Sequence, residues 1–333
     1  MNFEYKETID KQRELVSLQK KVVSKSLVSA LKVFLYIMCL AIVTGGFFGL
    51  GVIHGIIKSA PSVENISIVP SSYSTTVYDT NNKQIAKLIT SGSNRIKADL
   101  KDIPEHLRWA FIDTEDARFY EHNGIDIQGI GRAAFIALTT LNPSEGASTI
   151  TQQVLKNNVF TSWTEEDSLT SSLKRKIQEQ YLAVQIEKQM SKNEIMESYL
   201  NTINLGQNCL GVQSASQRYF GKDVSDLTLS ECAVIAGITQ NPTDYDPVTR
   251  PENNKIRRNK VLKNMLEQGY ISQKQYDKAM SDDVYARIQA TSASSQADNA
   301  YSYFVDALAQ QVIQDLKDQL GYTDTQAYNA VYS

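Results

Sequence analysis

From Val33 to Ile57 the chain reads VFLYIMCLAIVTGGFFGLGVIHGII, an apolar run that contains no Asp, Glu, Lys or Arg. At about 1.5 Å per residue a helix of this length outreaches a hydrocarbon core of about 30 Å, and apolar residues on every face set it apart from a half-buried globular helix. The pattern predicts a transmembrane helix over 33–57. A cleaved signal peptide fits poorly, because the run is too long and no small-residue cleavage pattern follows it. Lys11, Arg13, Lys20, Lys21, Lys25 and Lys32 precede the run, whereas Lys58 is the only cation in the stretch that follows. By the positive-inside rule residues 1–32 are a cytoplasmic tail, and the chain beyond Lys58 lies outside the membrane.

Past the span, residues 58–72 form a connector containing Pro and Ser. TTVYDTNNKQIAKLI then alternates around the polar DTNN, which predicts a small β-hairpin. From Ile103 the apolar period becomes helical: Pro104 stands at a first turn, and Leu107, Phe111 and Glu115 share one face. Further helical patterns cover 129–140, 149–158, 172–190, 192–203, 227–237 and 254–268. The region is therefore mainly α with one hairpin, and 73–268 reads as a single domain. From about Ile271 the chain turns polar and loses its period, so SDDVYARIQATSASSQADN reads as a linker. One more amphipathic helix, 301–320, precedes GYTDTQAYNAVYS, in which no cap is evident.

Composition adds little. A net charge of -3 over 333 residues offers no global basic surface for nucleic acid. Cys39, Cys209 and Cys232 are too scattered for a disulfide framework or a zinc site, and read as packing residues. Asp244 and Asp246 form a D-x-D, which a turn between Pro242 and Pro247 explains without a metal.

The chemistry lies in five blocks. In TEDARFYEHNGID, Glu115 continues the stripe of Leu107 and Phe111. It is either a carboxylate held away from water, and so a better proton acceptor, or a solvated helix-terminal acid. GASTITQQVLKN places Ser148 in a loop, Thr149 and Gln152 in a capping box, and Gln153, Lys156 and Asn157 along the helix. This is either an anion site at a helix start or a solvated polar face. In KRKIQEQ, Arg175 and Lys176 precede Glu179 by four and three residues, as a surface salt bridge or as a cationic face with a carboxylate at its edge. KNEIMESYLNTINLG, with Ile195, Tyr199, Leu200 and Ile203, reads as scaffold, and Arg257 and Arg258 of RRNKVL read as braces for their helix.

Taken in order, EDxxFxxHxG at 115–124, GxSTITQQxxKN at 146–157, RKxxE at 175–179, KxxIxExYLN at 192–201 and RRxxVL at 257–262 resemble the family 51 peptidoglycan glycosyltransferases. The resemblance covers about residues 70–265, and the end of the chain resembles the link to the transpeptidase domain of class A penicillin-binding proteins. Asp113 and Thr114 depart from it, since small apolar residues are more usual before the first motif. So does the polar GQNCLG at 206–211.

The resemblance implies a lysozyme-like helical fold that polymerises lipid II by inverting transfer, with release of undecaprenyl pyrophosphate. Glu115 would be the general base and Glu179 a second catalytic acid. Asp116 would lie beside the base; Lys156, Arg175 and Lys176 would hold pyrophosphate, while Ser148, Gln153 and Asn157 would contact sugar or phosphate. No metal site or obligatory cofactor is indicated, although a divalent cation, magnesium or manganese, could assist the pyrophosphate. The implied partners are lipid II, the growing glycan strand, the membrane, and wall-synthesis or division proteins. Residues 269–333 would be a linker toward a transpeptidase domain, whose Ser-x-x-Lys, SxN and KTG set is absent from this sequence. Two other readings stand beside this one: a membrane-anchored muramidase-like hydrolase, and an inactive scaffold of the wall-synthesis machinery.

Overall fold

The longest apolar run of the chain sits in its longest helix. A computed structural model describes residues 3–68, 70, 73–88, 94–140, 146–160, 168–295 and 303–332, and divides into Met1–Ala60 and Pro61–Ser333. The first unit is α1 (Phe3–Lys58), which continues unbroken from the predicted tail into the span. Within it Ser26–Lys58 is long and apolar enough to cross a membrane, and none of that window is covered by protein.

The second unit begins with the expected hairpin. β1 (Thr75–Tyr78) and β2 (Gln84–Leu88) pair antiparallel, Thr75 opposite Leu88, with a bulge between Val77 and Tyr78. The turn closes because Asp79 Oδ1 accepts from the N–H groups of Asn81 and Lys83, both at 2.8 Å, while Asn82 takes a left-handed φ of 61°.

Helices α2 (Glu105–Glu115), α3 (Ile127–Thr140), α4 (Ile150–Asn158), α5 (Leu169–Ile186), α6 (Lys192–Thr202), α7 (Val212–Phe220), α8 (Leu229–Ile238) and α9 (Pro251–Glu267) follow. The centre is α8, apolar on nearly every side and buried from Ser230 to Ile238, with α2 and α9 packed against it. Its start is a capping box in which Thr228 and Glu231 satisfy each other's backbone N–H. A second layer packs α4 against α5 and α6. The scaffold reading of the fourth block holds: Ile195, Met196, Tyr199 and Leu200 are fully buried, and the Asn201 carboxamide pairs with both the N–H and the carbonyl of Ala98.

The segment read as a linker is largely helical. α10 (Gln273–Met280) and α11 (Val284–Ser295) bury Ala279, Val284 and Ile288, and Arg258 ties them in through the Ala279 carbonyl. So few apolar anchors leave the pattern polar while still fixing two short helices. α12 (Tyr303–Leu320) and α13 (Asp324–Tyr332) then cover the hairpin, burying Val305, Ala309 and Val331 against Leu88. The final helix does have a cap: Gln326 Oε1 accepts from the Thr323 N–H at 3.0 Å, and Thr323 Oγ1 accepts from the Gln326 N–H at 3.3 Å. Residues 69, 71 and 72 of the connector and 296–302 of the presumed linker lie outside the described residues.

After α2 the chain reverses over α5 at Gly124. Its φ is +87°, and a Cβ there would stand 2.5 Å from the carbonyl carbon of Ala183. Both strain and collision forbid a side chain. Gly124→Ala is expected to destabilise the domain by about 2–4 kcal/mol. Chemical denaturation checks this, and an unchanged midpoint would contradict the tight approach.

Candidate active site

The C-terminus of α2 delivers two acids to different neighbours. Leu107, Ala110, Phe111 and Ile112 anchor the helix in the core, so its last turn is held rigidly. Glu115 is half-buried and opens on a cleft of 830 Å³, so it lies between the two readings of its stripe: it is neither sealed in the core nor out in bulk water. Gln153 Nε2 donates to Glu115 Oε2 at 2.9 Å, and the Thr239 hydroxyl donates to Oε1. The carboxylate is thereby held between α4 and the residue that follows α8.

Asp116 turns inward. Its side chain is 2 % exposed and accepts from the N–H of Ile150, at the start of α4, at 3.0 Å. His122 Nε2 stands 2.9 Å from both carboxylate oxygens, and since a carboxylate only accepts, that nitrogen carries the proton. Beside it Thr149 Oγ1 donates to the Gly124 carbonyl at 2.8 Å while accepting from the Gln152 N–H. The expected capping box is thus half realised: Thr149 caps α4, while the Gln152 side chain points to Gly124 instead, at 3.4 Å.

The cations come from α4 and α5. Lys156 and Lys176 line the cleft with Ser148, whose hydroxyl accepts from Lys176 Nζ at 3.2 Å. Burial lowers the Lys156 ammonium below the usual lysine range, and the positive charges of Lys176 and Arg175 push the same way. The fields of Glu179 and Glu115 oppose that shift, so Glu115 and the cations share one electrostatic neighbourhood. Glu179 is fully buried, binding Arg175 through one oxygen and Lys176 through the other at 2.8 Å. It is therefore no surface bridge; it anchors both cations from below. Glu179, Arg175 and Asn157 are not among the residues lining the cleft, whereas Glu115, Asp116, Ser148, Gln153, Lys156 and Lys176 are.

Several lining residues escaped the sequence reading. Arg258 braces α9 as expected, with Nη2 2.9 Å from Ser230 Oγ, but Arg257 lines the cleft, its guanidinium 5.3 Å from the Tyr245 ring centroid. Adjacent residues on a helix point about 100° apart, so the pair RR already implied different destinations. Thr239, Lys260, Arg132 and Tyr270 also contribute. Asp113 does too, and burial pushes its carboxyl up to about 6 against an Asn264 hydrogen bond; Glu267 adds to the rise and Lys260 opposes it.

A second cavity, of 710 Å³, lies around Glu231. Its buried acid is already neutralised by Lys222 at 2.7 Å and Arg287 at 3.2 Å, so its charges are spent on holding α8 to α11. Among the described residues no three His, Cys, Asp or Glu side chains converge as metal ligands.

A helical domain whose acid-and-cation cleft is built from ordered motifs defines a class, and comparison with known sequences supplies it. The transglycosylase family matches residues 81–266, and the chain belongs to that family. Its mainly helical, lysozyme-like architecture with one hairpin and one N-terminal apolar helix is the one expected. Among relatives, penicillin-binding protein 1A of Clostridium botulinum (strain Langeland) is 39 % identical over 322 residues, covering 93 % of this chain and 38 % of that protein. Penicillin-binding protein 1A/1B of Bacillus subtilis is 39 % identical over 277 residues, covering 80 % and 29 %. A crystal structure of penicillin-binding protein 1A from Haemophilus influenzae aligns over 77 % of this chain and 26 % of its own, at 23 % identity and a TM-score of 0.37. The chain thus spans about two fifths of the Clostridium relative's length.

Because the folded state holds the Asp113 proton more tightly than the unfolded chain does, this group's contribution to stability falls as pH rises from about 4 through about 6. With solvent screening of a partly exposed group allowed for, Asp113→Asn is expected to gain about 1 kcal/mol relative to wild type between pH 4 and pH 7. Urea unfolding at both pH values checks this; a constant difference would contradict it.

Proposed function

We propose that the domain is a peptidoglycan glycosyltransferase that polymerises lipid II by inverting transfer. The observation that carries this reading is that Glu115, oriented by Gln153 and Thr239, shares a cleft with Lys156 and Lys176.

The 4-hydroxyl oxygen of the acceptor GlcNAc attacks C1 of the donor MurNAc from the face opposite the leaving group. Glu115 takes the hydroxyl proton as the C–O bond forms. The C1–O bond to pyrophosphate breaks, and its electron pair leaves on the phosphate oxygen. A sugar hydroxyl is a poor nucleophile at neutral pH, so a base within hydrogen-bond reach is needed. Two hydrogen bonds fix the direction of the Glu115 carboxylate before substrate arrives. The developing negative charge on undecaprenyl pyrophosphate falls to Lys156 and Lys176, with Ser148 holding the latter in line. Arg175 supports this field from behind. Glu179 acts through Arg175 and Lys176 as a positioning acid, Asp116 positions the end of the base-bearing helix against α4, and Asn157 contributes at the margin of the phosphate site.

A hydrolase acting on finished glycan has no leaving phosphate for these cations to meet, which favours polymerisation over a muramidase reaction. The apolar surface favours it as well. Ile127, Phe135 and Leu138 of α3 are 79 %, 67 % and 79 % exposed, and Leu169 at the start of α5 is 92 % exposed. Such side chains suit a domain lying against lipid, where a polyprenyl-linked donor resides. With the cations clustered before the span, we place the N-terminus in the cytoplasm and the catalytic domain on the outer face.

Purified protein incubated with lipid II is expected to yield glycan polymer. Glu115→Gln should lower turnover by about a thousandfold while the unfolding midpoint stays near that of wild type. Undiminished turnover in the variant would remove Glu115 from the base role. Soluble muropeptides released from sacculi, with no polymer from lipid II, would establish the hydrolase instead.

A further inference from the structure

Thr239 gives Glu115 one of its two hydrogen bonds, and its hydroxyl has a choice of acceptor that Gln153 lacks. Oγ1 carries a single hydrogen. Two acceptors stand within its reach, Glu115 Oε1 and, at 3.0 Å, the Ala236 carbonyl in the last turn of α8. Carbonyls of a last turn have no intrahelical N–H to meet and readily take a side-chain donor. Thr239 is half-buried, lines the cleft, and follows directly on the buried residues of α8, so the hydroxyl is presented from a rigid support. Its oxygen keeps lone pairs free whichever acceptor the hydrogen meets.

The Nε2 hydrogens of Gln153 can only donate, so Oε2 of Glu115 remains an acceptor whether the carboxyl group is charged or neutral. Among the described residues Glu115 has no third hydrogen-bond partner. Once Glu115 has taken a proton it has a hydrogen of its own to place, and only Oε1 faces a group that can accept one. In the charged state Thr239 donates to Oε1. In the neutral state the Thr239 hydrogen turns to the Ala236 carbonyl, and Oε1–H donates to Oγ1. Every hydrogen finds an acceptor in both states with the heavy atoms left where they are.

We infer that Oε1 is the oxygen on which Glu115 takes up the acceptor's hydroxyl proton, and that Thr239 is the positioning residue that keeps this oxygen hydrogen-bonded before and after the transfer. The inference rests on the reading of Glu115 as the base and deepens it. The proton leaves the sugar oxygen as the C–O bond forms and becomes the Oε1 hydrogen, and rotation about the acid's own C–O bond then aims it at Oγ1. Thr239 ends the cycle with the hydrogen it began with. A partner that could only donate would support the charged carboxylate and not the acid that replaces it, so the support would fade as the transition state is approached.

The test compares Thr239→Val, which keeps the shape and removes the hydroxyl, with Thr239→Ser, which keeps the hydroxyl, both in the full chain. With lipid II, Thr239→Val is expected to lower kcat about tenfold at a KM near that of wild type, and Thr239→Ser to restore most of the loss. Infrared difference spectra on acidification give a readout that needs no substrate. The C=O stretch of neutral Glu115, assigned by its absence in Glu115→Gln, is expected at higher frequency in Thr239→Val than in wild type or Thr239→Ser, because an acid O–H that donates lowers that stretch. A wild-type kcat in Thr239→Val, a Thr239→Ser variant as impaired as Thr239→Val, or a C=O stretch that does not move would overturn the assignment. Absence of polymer from wild type would instead overturn the polymerase reading, and the infrared band would still decide the role of Thr239.

Discussion

One buried carboxylate holds the site together. Asp116 joins the end of α2 to the first N–H of α4 and to His122, all within a region that water hardly reaches. Removing one partner of a buried charged hydrogen bond costs about 3–5 kcal/mol, so the three elements move as one body. The helix start supplies partial positive charge and a free N–H where Asp116 supplies the negative charge. Because α4 is pinned there, Gln153 reaches Glu115, and Lys156 lies one turn further along the same helix.

The cationic side obeys the same physics with the signs exchanged. Two positive groups on adjacent positions of α5 would repel each other and drift into solvent if left alone. Glu179, sealed beneath them, gives each a separate carboxylate oxygen. Neutralising part of the charge from below keeps Arg175 and Lys176 in place while their outward faces still present positive potential. Burial is the main reason the Lys156 ammonium sits below the usual lysine range, with the charges of Lys176 and Arg175 adding to it and those of Glu179 and Glu115 opposing it.

How much of this was readable in advance varies with how each residue is held. Elements that bury an apolar stripe were legible, α2 and α8 above all. α7 was not, because it buries the polar Gln213, Ser214 and Ser216 beside Val212, Ala215 and Tyr219, and they mask that short apolar stripe. α10, α11 and α13 escaped for a related reason: a few small anchors and a Thr323–Gln326 cap sufficed to fix them. Glu115, Ser148, Gln153, Lys156 and Lys176 were named together because the ordered motifs resemble those of one family, and all five line one cleft. Thr239 was invisible, since its contact with Glu115 spans 124 positions and no local pattern encodes it. The inward turn of Asp116 was equally hidden, because adjacency to Glu115 says nothing of which neighbour each carboxylate meets.

The cover over the hairpin carries a consequence for biogenesis. Among the described residues Leu88 shares its buried cluster with Val305, Ala309 and Val331, at the far end of the same unit. A two-stranded ribbon is marginal in water by itself. While the polypeptide threads outward from the ribosome, that ribbon has nothing to close upon until the distal helices emerge. Its stickiest face stays bare throughout, a window in which a folding helper at the membrane would find something to hold.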